Sequence, residues 1–226
     1  MSDTAAWPAL NQLERRIVGT LVEKAKTTPD VYPMSINSLV AGCNQKSNRD
    51  PVMDVDEDQV QEALESLQEK GLAITVQGGR VDRWRHALYE VWIVNKVELA
   101  ILTELLLRGP QTEGELRTRA SRMEPIDDLE QLRYKLQPLT ERKLVIYFSK
   151  PGSRGAMLTH GFHTPEELEF MRRRHGGAPT SADEPLPRPT LAAPPAPGWK
   201  EEFTRLEAEV NELRTALNDL KRSLGQ

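Results

Sequence analysis

Two groups of residues have the types and spacing that chemistry could use, a lone cysteine and a pair of histidines. Cys43 is the only cysteine in the 226 residues and could serve as a nucleophile. It ends an apolar helical stretch, SLVAGC, so a buried and inert thiol is the favoured interpretation. His160 and His163 lie three residues apart in HGFH, but a metal site needs more ligands than this stretch supplies. We therefore interpret HGFH as a turn that leads to a helix cap at Thr164.

The acidic stretch DVDEDQ, at residues 54–59, resembles a calcium-binding loop only loosely. It lacks the central glycine and the glutamate at the twelfth position of such a loop, so capping of a helix by Asp56 is favoured. The sequence contains no phosphate-binding loop, dinucleotide fingerprint, HExxH or GxSxG motif. We therefore expect no metal and no cofactor, and we predict that the protein is not an enzyme.

The composition is typical of a soluble protein, with 38% hydrophobic and 28% charged residues. No apolar run is long enough to span a membrane, and MSDTAAWPAL lacks the features of a secretory signal. A single cysteine cannot form an internal disulfide, so a reducing cytoplasm is the expected location.

The charge balance does not favour a generally basic, nucleic-acid-binding module. The chain has 30 basic and 34 acidic residues, a net charge of −4. Residues 176–226 hold eight acidic and six basic residues, which leaves 26 acidic and 24 basic ones, a net charge of −2, in residues 1–175. Any binding of nucleic acid must therefore come from a local cluster of lysine and arginine.

The elements that would position such a cluster form an internal repeat. VQEALESLQEKGLAITV (60–76) and LRYKLQPLTERKLVIYF (132–148) both place apolar residues at positions one, five, eight and thirteen. This spacing predicts a helix followed by a strand. Two helices precede each copy, and a glycine-containing turn with a second strand follows it. Thr112 and Glu115 predict a capping box at the start of the second helix of the second copy, and Asp56, with Gln59 three residues on, predicts the start of the third helix of the first copy. We therefore predict a mainly α fold with small β-wings, made of two tandem winged helix-turn-helix domains plus a C-terminal helix. The first domain would span residues 1–90 and the second residues 91–175. The second domain would include a trailing helix from Thr164 to about His175.

The end of the sequence has a different character. Residues 176–198 hold seven of the sixteen prolines and are interpreted as an extended linker. Residues 199–226 are predicted to form a helix with a heptad seam, whose apolar positions are Phe203, Leu206, Val210, Leu213, Leu217, Leu220 and Leu224. We expect this seam, residues 203–224, to form a homodimer. Docking of the same helix on its own chain is the alternative.

Three segments carry a family resemblance: NQKSNRDPVM at 44–53, VWIVNKVELAILTELLLRGPQTEGELR at 91–117, and LEQLRYKL at 129–136. They resemble the bacterial YceH-like family over roughly residues 9–175. The resemblance implies two tandem winged-helix domains. It brings no catalytic residues, because the family has no assigned biochemical role.

The third helices of the two repeats differ in the charge of their outer faces. With Val60, Ala63, Leu64 and Leu67 inward, the first would expose Asp58, Gln61, Glu62, Glu65, Gln68 and Glu69, which would repel phosphate. With Leu129, Leu132, Leu136 and Leu139 inward, the second would expose residues suited to bases and phosphates. The candidate DNA-binding residues are Gln131, Arg133, Tyr134 and Lys135 on this helix, Arg117, Arg119 and Arg122 on the preceding helix, and Lys150 and Arg154 on the wing. An ordinary solvated face is an equally compatible interpretation.

One interpretation of the long polar loop CNQKSNRDPVM in the first repeat is that it forms a secondary basic edge together with the wing. Its members would be Lys46, Arg49, Arg80, Arg83 and Arg85. The favoured interpretation of the loop is structural, because Asn and Asp residues stabilise turns and Pro51 prevents the second helix from continuing.

Two hypotheses about function follow from the sequence. The first is a non-enzymatic, regulator-like protein that binds double-stranded DNA mainly through its second domain. The second is an interaction module that holds protein partners and does not bind DNA, which the acidic third helix of the first repeat favours.

Overall fold

The computed structural model describes residues 7–77, 79 and 81–175, which are mainly helical with small antiparallel sheets, as predicted. The helices are α1 (Gln12–Thr27), α2 (Ile36–Cys43), α3 (Glu57–Glu69), α4 (Leu88–Val91), α5 (Lys96–Arg108), α6 (Glu113–Ala120), α7 (Leu129–Glu141) and α8 (Pro165–His175), with a 3-10 turn at Pro29–Val31. The strands are β1 (Ala73–Val76), β2 (Arg83–His86), β3 (Gln111–Thr112), β4 (Val145–Tyr147) and β5 (Met157–His160). Across the described part of the chain, no helix combines the length and the apolarity needed to cross a membrane.

Several predictions fall on residues that the structure does not describe. The proline-rich linker (176–198), the heptad helix (199–226) and Arg80 lie outside the described residues. The domain boundary at residues 90 and 91 and the homodimer stay predictions.

Polar caps define where the helices begin. The predicted capping boxes are confirmed at Asp56, which starts α3, and at Thr112, which starts α6. Thr164 accepts a hydrogen bond from the amide of Glu167 and so caps α8, also as predicted. Asn11 and Asn95 form two further capping boxes, at α1 and α5, which had not been predicted from the sequence.

The internal repeat has the same backbone hydrogen bonds in both copies. After α3 the amide of Leu72 donates to the carbonyl of Leu67, and after α7 the amide of Leu144 donates to that of Leu139, both at 2.8 Å. Each junction leads into an antiparallel hairpin, β1–β2 in the first copy and β4–β5 in the second. Strand β3 pairs with the outer edge of β5, and a single bridge between Met34 and Trp84 holds the corresponding place in the first copy.

One hydrophobic core runs through both copies of the repeat. Its centre is the contact between α1 and α5, the first helices of the two copies. Gly19 of α1 lies so close to α5 that a β-carbon at this position would be 2.8 Å from the side chain of Leu107. Both helices are fully buried at several apolar positions, among them Ile17, Val18 and Leu21 of α1 and Leu102 and Leu105 of α5. Glycine therefore permits a close approach that buries an apolar face of each helix.

The inward faces of the third helices follow the predicted pattern with one exception. Val60, Ala63, Leu64 and Leu67 of α3 are buried, and so are Leu132, Leu136 and Leu139 of α7. Leu129 was predicted to face inward, but it is 37% exposed. It is the first residue of α7 and lies one turn before the buried leucines, so the prediction was wrong for this position.

Candidate nucleic-acid interface

The outer face of α7 carries the predicted cluster of polar and cationic side chains. Tyr134 is the most exposed of them, at 71%. The Nζ atom of Lys135 lies 5.4 Å from the centre of the Tyr134 ring, a distance that fits a cation–π contact. The side chain of Arg133 is 43% exposed. Three consecutive residues of α7 thus offer an aromatic ring and two cations.

Glu113, at the start of α6, holds Arg133 in place. Its buried carboxylate accepts hydrogen bonds from Nε of Arg133 at 2.9 Å, from the hydroxyl of Tyr147 at 2.9 Å and from the amide of Gly152 at 3.0 Å. A second guanidinium nitrogen of Arg133 lies 2.8 Å from the same carboxylate. Burial opposes ionisation, yet these donors hold the pKa of Glu113 below its ordinary value. The cluster connects α6 and α7 to the turn of the β4–β5 hairpin.

That turn brings two further candidate residues close to α7. Lys150 and Arg154 are both exposed. Gly152 and Gly155 have φ angles of 77° and 74°, which favour glycine and allow the tight turn. A β-carbon at Gly152 would be 3.7 Å from Nε of Arg133, so the tip of the hairpin lies against α7.

The predicted candidates on α6 are held by internal partners. Arg117 donates to the carbonyls of residues 126 and 127, at 3.3 and 3.0 Å. Arg119 donates to Gln111 at 2.7 Å, and Arg122 pairs with buried Glu104 at 3.2 Å. These three arginines are therefore engaged by internal partners, as Arg133 of α7 is by Glu113.

Gln131 is also engaged locally. Its side-chain oxygen accepts a hydrogen bond from the backbone amide of Asp127 at 2.7 Å, and its backbone amide donates to the carboxylate of Asp128 at 2.8 Å. This residue therefore stabilises the start of α7. We give the name α7 surface to Arg133, Tyr134, Lys135, Lys150 and Arg154, of which all but the half-buried Lys135 are exposed.

Helix α3 has the acidic outer face that its sequence predicts. Its exposed residues include Asp58, Glu62, Glu65, Gln68 and Glu69. Gln61 is half-buried and donates to Glu65 at 2.6 Å. A face of this kind repels a polyanion, in contrast to the α7 surface.

The secondary basic edge does not include Arg49. This residue was predicted to lie on the surface, but its side chain is fully buried and paired with Glu23 at 2.5 Å. It also donates to the carbonyls of Gly42 and Asn48. Lys46 is exposed, as is Arg83, which donates to the carbonyl of Pro33, and Arg85 is half-buried.

Residues 43–53 are attached to the rest of the fold by many hydrogen bonds, which supports the structural interpretation. The side chain of Asn44 both donates to and accepts from the backbone of Val55, at 2.8 Å each. The amide of Asp50 donates to the carbonyl of Leu107 on α5 at 3.0 Å. Hydrogen bonds from polar side chains of this loop therefore take the place of the backbone hydrogen bonds that regular secondary structure would supply.

The groups with catalytic potential are buried. Cys43 is fully buried, and burial raises the pKa of its thiol to about 11, so the reactive thiolate is scarce at neutral pH. The Nδ1 atoms of His86 and His160 accept the backbone amide two residues further on, so the two residues have the same role in the two repeats. In residues 7–175, as far as they are described, no three side chains of the metal-binding types come together.

A further cationic stretch, near the end of α8, was not among the candidate sites predicted from the sequence. Arg172, Arg173 and Arg174 are consecutive and exposed near the end of α8, where cations also favour the helix dipole. Three adjacent arginines are a signal that could have been found. Arg173 pairs with Glu169 of the same helix.

Comparison with known proteins places the chain in a family. The family described as protein of unknown function, DUF480, matches residues 10–154. The chain belongs to this DUF480 family. The DUF480 chain is 47% identical over 191 residues to the UPF0502 protein RB6530 of Rhodopirellula baltica, covering 81% of the chain and 80% of the relative. It is also 42% identical over 201 residues to a UPF0502 protein of Geotalea daltonii, covering 88% of each. A third relative, a UPF0502 protein of Pseudomonas putida, is 38% identical over 183 residues, with 79% and 85% covered.

Proposed function

We propose that this DUF480 protein is a non-enzymatic, cytoplasmic, regulator-like protein that binds double-stranded DNA. The order helix, short strand or bridge, helix, helix, hairpin occurs twice and supports an assignment as two tandem winged helix-turn-helix units. In such a unit the third helix enters the major groove and the hairpin contacts the backbone. The corresponding elements of the second copy are α7 and the β4–β5 turn.

The observation that carries the proposal is the exposure of cations on both of these elements. Arg133 and Tyr134 on α7 are exposed, as are Lys150 and Arg154 on the hairpin turn, whereas Lys135 is half-buried. Arg133 and the amide of Gly152, in that turn, both donate to the carboxylate of Glu113, which joins the two elements. Arginine can read guanine, whereas lysine and tyrosine can hold phosphates. The acidic face of α3 would be repelled by DNA, so the second copy is the one that makes the main contacts.

Retardation of pooled duplex DNA by the purified protein tests this proposal. Replacement of Arg133 and Lys135 by alanine should weaken the binding and reduce its dependence on salt. Each lost phosphate contact lowers the slope of log K against log salt by about 0.9. Because Arg133 also neutralises Glu113, a second variant, with Lys135→Ala and Arg154→Ala, leaves that buried cluster intact.

The matched control removes two exposed lysines that belong to neither candidate basic surface, Lys96 and Lys143, and so changes the net charge by the same amount. It should retain most of the affinity. If no pooled DNA binds in a salt-sensitive way, or if the control variant loses as much as the two α7-surface variants, the proposal is refuted.

The acidic face of α3 favours a second candidate function, recognition of a protein partner. Exposed Glu62, Glu65 and Glu69 would suit a basic surface on that partner. Reversal of these charges to lysine, followed by affinity purification from cells, tests it. A stable partner that is kept by the triple-lysine variant would refute the role of α3.

A further inference from the structure

A cleft of about 480 Å³ lies beside α8, and none of its lining residues belongs to α7. Its walls come from α1, from the loop after α2, from the end of α5, and from α8 with the turn before it. The volume falls within the range of about 300–1,000 Å³ that is typical of small-molecule sites. The cleft is therefore large enough for a small organic ligand.

The walls of this cleft are rich in arginine. The four arginines are Arg15, Arg16, Arg108 and Arg174. The charges of two of them are matched by carboxylates, since Arg15 pairs with Glu167 at 2.7 Å and Arg108 with Glu104 at 2.8 Å. Arg16 and Arg174 form no ion pair with any residue in the described part of the chain.

Arg16 is the unusual member of this set, because its cation is only 1% exposed. It donates to the carbonyls of Cys43 and Pro51, at 2.9 and 2.5 Å, but its Nε has no acceptor among the described residues. A buried guanidinium without an anionic partner costs free energy, because carbonyl dipoles replace its hydration only in part. An anion in the adjoining cleft would offset this cost.

The histidines of the cleft add no positive charge at neutral pH. His160 and His163 stack with their ring centres 3.9 Å apart. Burial, and then the nearby Arg15 cation, lower the pKa of His163 to about 4, and burial holds that of His160 well below its usual value. Exposed Asp50 offsets one of the two unmatched arginines. The remaining single positive charge fits one anionic group on a ligand.

The same cleft has an apolar side. Phe170, on α8, is 64% exposed, an unusual position for an aromatic ring. Met53, Leu106 and Met171 also line the cleft. We propose that the cleft binds a small organic monoanion, a carboxylate attached to an apolar body, with Arg16 and Arg174 supplying the positive charge. None of the residues that line the cleft belongs to the α7 surface, so this proposal does not rest on the proposed DNA binding.

Calorimetric titration of the full chain with benzoate and with hexanoate tests the proposal. Both should bind saturably at one site, with dissociation constants of about 1 mM or below. Benzamide has nearly the same shape without the charge and should bind at least about tenfold more weakly, a difference of about 1.4 kcal/mol. Inorganic phosphate, which lacks the apolar body, should also bind more weakly than either carboxylate.

Two neighbouring arginines of α8 provide matched variants. Arg174→Gln removes a cation that lines the cleft, whereas Arg172→Gln removes an exposed cation that does not. The first should weaken benzoate binding about fivefold or more, and the second should leave it unchanged. Phe170→Ser should weaken benzoate more than phosphate. The proposal is overturned if neither carboxylate binds saturably up to about 20 mM, if benzamide or phosphate binds as well as benzoate, or if Arg172→Gln weakens benzoate as much as Arg174→Gln.

Discussion

Arg49 offers a sharp test of whether the loop at residues 43–53 is structural, because its side chain is fully buried against Glu23. Replacement by glutamine removes the positive charge and leaves the Glu23 carboxylate, only 9% exposed, without a cation. Removal of one partner from a buried ion pair costs about 3–5 kcal/mol. The carbonyls of Gly42 and Asn48 also lose a charged donor. We expect the free energy of unfolding to fall by about 4 kcal/mol, a large share of the roughly 5–15 kcal/mol of a typical domain.

Urea unfolding, followed by circular dichroism, measures this change. Lys46→Gln is the matched control, because it removes an exposed cation from the same loop. Its effect should stay within about 0.5 kcal/mol. The double variant with Glu23→Gln and Arg49→Gln should be more stable than the sum of the single effects predicts, by about 1–3 kcal/mol, since neither buried charge then remains alone.

A loss below about 1 kcal/mol for Arg49→Gln, or strictly additive effects in the double variant, would refute this account. Arg49 would then be a surface cation, as its sequence context had predicted, and the basic edge of the first repeat would regain it.

Three further predictions concern glycine, histidine and cysteine. Gly161→Ala places a β-carbon 1.8 Å from a backbone carbonyl oxygen and should lower the free energy of unfolding by about 2–4 kcal/mol. Gly114→Ala lies in open space on α6 and should raise the free energy of unfolding by up to about 1 kcal/mol. Urea unfolding measures both changes. Burial lowers the pKa of His86 and of His163 to about 4 in the folded protein, so the unfolded chain, with histidine pKa values near 6.5, binds protons first on acidification. Stability from these two groups should be present above pH 6.5 and be lost as the pH falls towards 4, by about 2 kcal/mol for each at pH 5. Titration near 6.5 of the ring resonances assigned to His86 or to His163 in the native protein would contradict this. Native Cys43 should resist iodoacetamide at neutral pH and react once urea unfolds the chain, because its thiol is buried with a pKa of about 11; equal rates in both states would contradict the assignment.

Much of the backbone could be predicted from the sequence because its signals are local. The spacing of leucines gave the buried faces of α3 and α7, and the pairs Asp56–Gln59 and Thr112–Glu115 gave two helix starts. Leu129 is an exception because hydrophobic periodicity does not indicate how far along a helix the neighbouring element covers it.

The partners of the charged residues could not be predicted in the same way. Arg49 pairs with a glutamate 26 residues earlier, and Glu113 accepts from Arg133 and from the turn at Gly152. These contacts depend on how the elements pack, and hydrophobic periodicity carries no information about them. The sequence therefore predicted which helix faces are charged, but not which of the charges are already neutralised.

The close approach of Gly19 to Leu107 limits how the chain can be divided or recombined. Helices α1 and α5 are equivalent in the two repeats, so a gene for a single repeat would encode a polypeptide whose first helix has leucines but no partner. A chimaera that joins one repeat to the other repeat of a relative would need glycine opposite the leucine at this crossing. The two halves must therefore be inherited and engineered as a matched pair.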